Sequence, residues 1–262
     1  MPLEVIARRG EGETRETPIL FVHGAWHGAW CWDEHFLRYF SRHGYPAHAL
    51  SLRGHGGSEG GERLRWTSIA DYVSDVAHVA AQLPRPPVVV GHSMGGHVVQ
   101  KYLEAHPSPG AVLLASVPPQ GALPATVRLA LRHPVAFARA NLTLSLYPLV
   151  ATLDLKREAF FSEAMPRSEV EKYAGLIQDE SYRAFLDMVI LNLPRPGRVK
   201  TPMLVIGGED DGLFRLHEFR ATARAYGTTA VIQPGAAHDL MLDPSWQTVA
   251  DTILAWLNER GL

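Results

Sequence analysis

Residues 86–107 read PPVVVGHSMGGHVVQKYLEAHP. A short apolar run, Val88–Val90, passes directly into Gly91-His92-Ser93-Met94-Gly95, and a helical pattern follows without a linker. G-x-S-x-G in that strand–turn–helix setting describes a sharp turn that lifts a serine oxygen clear of the strand. Glycines two residues before and after Ser93 let the backbones pass closely, and the helix N-terminus aims its N–H groups at nearby negative charge. A serine that merely caps the helix is the plainer reading, and it leaves the flanking pattern unexplained. Ser93 is the candidate nucleophile.

Outward from this turn, short apolar runs alternate with longer amphipathic ones, the pattern of a mostly parallel sheet wrapped by helices. The expected strands are Leu3–Ala7, Ile19–Val22, Ala47–Ser51, Val88–Val90, Ala111–Ala115, Met203–Ile206 and Ala230–Gln233. Nearly all lack polar alternation, as strands buried on both faces should. Helices are expected at Asp33–His43, Ile69–Leu83, Gly95–His106, His217–Tyr226 and Trp246–Arg260. A hairpin with Thr14–Thr17 would complete a sheet of eight. From Val117 to about Val199 no strand is expected, and Pro118, Pro119, Pro134, Pro148, Pro166, Pro194 and Pro196 punctuate helix-like pieces. Those pieces are Ala125–Arg132, Val135–Ser145, Arg157–Glu163, Glu169–Leu176 and Tyr182–Leu191. The division that follows is an α/β core of residues 1–117 and 200–262, with 118–199 inserted after the sixth strand as a helical cap. Within Ala111–Thr152, Leu129, Leu131, Val135, Phe137, Leu142, Leu144 and Leu146 are expected to roof an apolar pocket, and Arg128, Arg132 and Arg139 to form a solvated face.

Composition excludes several classes. The 262 residues are 46% hydrophobic and 20% charged, ordinary for a folded globular chain. A net charge of −2 leaves no positive surplus for a nucleic-acid partner. The single cysteine, Cys31, rules out an intrachain disulfide and a cysteine-rich metal site, and it reads as a small buried thiol rather than a nucleophile. The apolar stretch Ala140–Leu153, free of charge and histidine, is too short for a bilayer span, and Pro148 interrupts it. The opening MPLEVIARRGEGETRE carries seven charges in sixteen residues, which reads as no secretory leader and a cytoplasmic location.

A serine needs a base and an orienting carboxylate, which follow this kind of turn in the order acid, then histidine. Of thirteen histidines only His217 and His238 lie beyond the insertion. His217 falls on an expected helix, whereas His238 sits in the loop PGAAHDLML after a strand. The acid belongs after Met203–Ile206, where Glu209, Asp210 and Asp211 compete; residues 112–153 contain no acid at all. The oxyanion donors should be the N–H groups of Met94 and of Ala25, the latter in His23-Gly24-Ala25-Trp26-His27-Gly28-Ala29-Trp30. The histidines of that loop, with Trp30 and Trp32, read as packing and hydrogen bonding around it. Trp26 and Leu213 are the candidate substrate contacts, and no metal site is expected.

These residues together resemble the α/β-hydrolase superfamily over nearly the whole chain. HGAWHGAWCW is similar to the HGxxHGxW loop of plant methylesterases and hydroxynitrile lyases, and Arg53-Gly54-His55-Gly56-Gly57-Ser58 to the RGHGxS segment of esterases, lysophospholipase-like proteins and monoglyceride lipases. The resemblance implies a Ser93–His238–Asp triad with Ala25 and Met94 as the oxyanion hole. The family's G-x-x-D spacing fits Asp211 from Gly208 and Asp210 from Gly207. The following Gly212-Leu213, and the cost of a like charge buried beside the acid, favour Asp211. Gly24 and Asp239 stand where the hydroxynitrile lyases of this type carry threonine and lysine, which favours hydrolysis. Dehalogenases and epoxide hydrolases of this fold use an aspartate nucleophile, and Ser93 argues against both. The expected activity is a cofactor-free serine carboxylesterase on small or medium apolar esters, of unknown oligomeric state. Lipase, lysophospholipase, thioesterase, amidase or perhydrolase chemistry is the alternative, with a lyase or a weakly catalytic binding protein behind it.

Overall fold

The computed structural model describes residues 2–262. Among the described residues seven strands form one sheet: β1 (Val5–Arg8), β2 (Ile19–Val22), β3 (Ala47–Leu50), β4 (Val88–His92), β5 (Ala111–Leu114), β6 (Met203–Gly208) and β7 (Ala230–Gln233). Their spatial order is β1-β3-β2-β4-β5-β6-β7, and only β1 runs antiparallel to its neighbour. Every residue of β2, β4, β5 and β6 is buried, which is why these segments read as unbroken apolar runs. The edge strands β1 and β7 alternate or stay half-exposed.

Helices α1 (Trp30–Asp33), α2 (Phe36–Arg42), α3 (Ile69–Ala80), α4 (Met94–Tyr102), α10 (Leu216–Ala225) and α11 (Trp246–Glu259) belong to the α/β core. Ser68 and Asp71 start α3 with a reciprocal capping box: the Ser68 hydroxyl accepts from Asp71 N–H, and the Asp71 carboxylate accepts from Ser68 N–H. Between β5 and β6 lie α5 (Leu123–Arg132), α6 (Pro134–Thr143), α7 (Leu153–Phe160), α8 (Arg167–Ala174) and α9 (Tyr182–Leu186). No helix among the described residues is long and apolar enough to cross a membrane.

Several expectations need correction. Thr14–Thr17 forms no strand: the segment crosses the surface, and Arg15 N–H is taken by the Gly44 carbonyl. With no apolar side to bury it adds nothing to the sheet, so the helical insertion follows the fifth of seven strands. The expected helix Asp33–His43 is two helices, broken where His35 leaves helical geometry and stacks on Trp246 at 4.5 Å. The expected Tyr182–Leu191 helix changes to π geometry at Asp187, whose carboxylate accepts from Ile69 N–H and Arg183 Nε. Two of the three arginines are not a free solvated face. Arg128 donates to Glu218 (2.6 Å) and the Leu213 carbonyl, and Arg132 to Glu158 (2.6 Å). Of the expected pocket leucines, Leu131 and Leu142, with Val135, point to solvent at 79, 85 and 71% exposure. Leu129, Phe137, Leu144 and Leu146 pack instead with Ala140, Leu149 and Tyr182 into a small core that touches Trp26.

Candidate active site

The strand ends converge on the turn after β4. Ser93 has φ 50° and ψ −116°, a conformation that non-glycine residues rarely hold. Its backbone is over-determined: Ser93 N–H donates to the Leu114 carbonyl, and the Ser93 carbonyl accepts from Val117 and His97 N–H. A methyl group on Gly91 would lie 2.5 Å from the Gly95 carbonyl oxygen and 2.8 Å from Gly96 Cα, so only glycine allows β4 and α4 to pass. Met94 is the first residue of α4, where an N–H has no intrahelical acceptor.

The loop after β6 turns one acid inward. Glu209 and Asp210 are exposed, whereas the Asp211 carboxylate is buried. Its Oδ1 accepts from Leu213 and Phe214 N–H at 2.8 Å each, and its Oδ2 accepts from His238 Nδ1 at 2.7 Å. His238 lies between the rings of Phe160, Phe214 and His92, and its Nε2 is buried with no partner among the described residues. No hydrogen bond joins Ser93 Oγ to that nitrogen, but the two residues share a neighbour: His92 Nε2 donates to the His238 carbonyl. His217 is exposed on α10. Cys31 is fully buried, as is Trp32, while Trp30 stacks on His27 and Tyr173.

The loop after β2 comes close to Ser93. A methyl group on Gly24 would sit 2.6 Å from His92 Nδ1 and 3.0 Å from Ser93 Cβ. Trp26 is left-handed, with φ 66°, and packs against Phe160 with the two rings tilted by 58°. Leu213 is half-buried at the rim of the acid loop.

Around these groups runs a buried polar network, of which the sequence indicates only the hydrogen-bonding histidines of the loop after β2. His27 donates from Nδ1 to the Ala25 carbonyl (2.7 Å) and from Nε2 to Asp239 (2.9 Å). His55 donates to the Arg53 carbonyl and to Glu180 (3.0 Å), and Tyr72 Oη donates to Glu180 (2.7 Å). Burial pushes both rings down, yet the facing carboxylates outweigh it, and the pKa values of His27 and His55 are raised. Burial likewise pushes Asp239 and Glu180 up, but the imidazolium partners bring them below the ordinary carboxylate range. His23 differs: its Nε2 accepts from Leu52 N–H, so the ring is neutral, and burial beside His55 holds its pKa well below 6.5. Burial and the neighbouring His238 lower His92 in the same way. Asp239 directly follows His238 in the sequence, which was a signal for it; Glu180 left none.

The sequence profile of the alpha/beta hydrolase family matches residues 19–252. The chain belongs to that family. This α/β-hydrolase is 26% identical over 237 residues to a monoacylglycerol lipase of Mycolicibacterium smegmatis, covering 85% of this chain and 81% of the relative. It is 27% identical over 251 residues to a non-heme haloperoxidase of Rhodococcus erythropolis, covering 85% and 86%. Among solved structures, a monoacylglycerol lipase of Paleococcus ferrophilus is similar with a TM-score of 0.76 and 21% identity, covering 99% of this chain and 100% of that one.

The buried histidines of this α/β-hydrolase are expected to give it a stability optimum in pH. Burial also lowers His97, to about 4. As pH falls through 6.5, the unfolded chain takes up protons that folded His23, His92 and His97 refuse. Each then costs up to about 1.4 kcal/mol of stability per pH unit. His27 and His55 act on the other side. Their raised pKa values stabilise the fold fully below 6.5, and that contribution is lost as pH rises toward their folded values. Denaturant melts between pH 5 and 8 should peak at about pH 6–7. Stability that climbs steadily to pH 8 would contradict the two imidazolium assignments.

Proposed function

We propose that this α/β-hydrolase is a carboxylesterase for uncharged, apolar carboxylic esters, acting through an acyl-enzyme on Ser93. The observation that carries the reading is the 2.7 Å pairing of His238 Nδ1 with the buried Asp211 carboxylate, behind a serine held at φ 50°. In this scheme Asp211 fixes the tautomer in which His238 Nε2 is the base. Nε2 takes the Ser93 proton as Oγ bonds to the acyl carbon, then returns it to the departing alcohol oxygen. The Ala25 and Met94 N–H groups stabilise the tetrahedral oxyanion, each contributing about 3 kcal/mol. Water, deprotonated by the same nitrogen, then bonds to the acyl carbon; the bond to Ser93 Oγ breaks, Oγ takes that proton back from Nε2, and the acid is released.

The apolar preference rests on the surroundings. Trp26, Phe160 and Phe214 crowd the approach, and the small core of Phe137, Ala140, Leu146 and Leu149 backs onto Trp26. Residues 118–199 act here as a cap, with Trp26 and Leu213 contacting substrate. The name of the lipase relative agrees with an ester substrate. A p-nitrophenyl series from acetate to octanoate, with matched thioester and amide, tests the reading. Each methylene buried adds up to about 0.8 kcal/mol, roughly fourfold in kcat/KM. A rise from acetate through the medium chains is expected. Steady decline with length would remove the apolar pocket, and faster turnover of thioester or amide would reassign the substrate.

A further inference from the structure

Two buried ionic pairs grip one peptide unit from opposite sides. The carbonyl of Ala25 accepts from His27 Nδ1 at 2.7 Å, with His27 backed by Asp239. The N–H of the same peptide, that of Trp26, donates to Glu180 Oε2 at 3.3 Å. Glu180 comes from the helical insertion, between α8 and α9, and is itself held by His55, Tyr72 Oη and Ser181 N–H. The Trp26 carbonyl is also taken by the insertion, through Gln178 N–H at 3.0 Å. The Gln178 side chain reaches Gly54 and Gly56 of the RGHG turn.

Burying two carboxylates and two imidazolium rings is an expensive way to fasten a loop, since well-packed apolar side chains generally stabilise at least as well. What apolar groups cannot do is fix the direction of a backbone N–H and C=O. That direction matters here, because Trp26 is a non-glycine residue held left-handed. The preceding residue supplies the Ala25 N–H.

We infer that Glu180 and His27 are positioning residues, which clamp the Ala25–Trp26 peptide so that the Ala25 N–H points at the developing oxyanion. The inference rests on the esterase reading for its catalytic meaning. It makes the insertion part of the reaction machinery, because the Glu180 arm of the clamp exists only when residues 178–181 are seated on the loop.

The experiment compares wild-type enzyme with Glu180→Gln and Tyr72→Phe on one p-nitrophenyl ester, and follows amide hydrogen exchange in residues 24–28. A donor displaced by about an ångström costs on the order of 100-fold. Glu180→Gln should therefore lower kcat about 10- to 100-fold with KM within about threefold. Inhibition by a trifluoromethyl ketone, whose adduct places an oxyanion in the hole, should weaken in parallel. Tyr72→Phe, which removes one hydrogen bond, should lower kcat about three- to tenfold. Exchange at residues 24–28 should quicken in both. A rise in KM at unchanged kcat, or unaltered exchange, would overturn the inference. If Glu180→Gln does not fold, Tyr72→Phe carries the test alone. If the wild type hydrolyses no ester, the esterase reading fails, and exchange still decides whether the clamp exists.

Discussion

Replacing Asp211 by asparagine is expected to lower kcat by about four orders of magnitude while leaving the fold intact. The reason lies in how the carboxylate is shared. Oδ1 accepts from the N–H groups of Leu213 and Phe214, and Oδ2 accepts from His238 Nδ1. An asparagine can keep its single oxygen on the two backbone donors. Its NH2 group then faces Nδ1, which must become the acceptor, and the ring proton moves to Nε2. A protonated Nε2 cannot take a proton from Ser93. The loss is one of tautomer, and the loop's own hydrogen bonds survive. Stability should fall by roughly 1 kcal/mol, a shift of about 2–4 °C in Tm. Asp210→Asn is the matched control. Its side chain is exposed, and kcat should stay within about tenfold, under 1.4 kcal/mol of barrier. Should Asp210→Asn be the inactive, folded variant, the acid is one residue earlier than assigned here.

Ser93→Ala should remove activity more completely, by about 10⁶-fold, because nothing else at the turn replaces the nucleophile. Alanine has the same Cβ, so the steric demand at φ 50° is unchanged. The three hydrogen bonds that hold the turn, to Leu114, Val117 and His97, all use Ser93 backbone atoms. Only Oγ is lost, and Tm should match that of the wild type. Residual hydrolysis above this level, in a preparation free of revertant protein, would point to another nucleophile.

What the sequence made legible was local. Strands β2, β4, β5 and β6 announce themselves because burial on both faces leaves no polar position in them. The loops bearing Ser93, Asp211 and His238 were readable because each directly follows a strand, and parallel strands bring those ends to one edge. Contacts between distant segments were not readable. The break between α1 and α2 depends on Trp246, more than two hundred residues away, stacking on His35. Arg128 and Arg132 looked solvated because their partners, Glu218 and Glu158, lie outside the acid-free stretch. Which of three adjacent acids turns inward is a matter of packing around residues 209–214, and spacing alone allowed two registers. Glu180 lies 125 residues from His55 and 154 from Trp26. No periodicity or motif connects them, and a buried carboxylate in a polar stretch reads like any surface acid until the fold closes over it.

Ser93 is proposed as a nucleophile made reactive by His238 and Asp211. Reaction with a fluorophosphonate probe, followed by peptide mass mapping, tests it most directly, because the probe bonds only to an activated serine and requires no knowledge of the natural ester. A single adduct on Ser93 is expected in the wild type, no adduct in Ser93→Ala, and labelling slowed by orders of magnitude in Asp211→Asn. An adduct on a different serine, or undiminished labelling of folded Ser93→Ala, would contradict it.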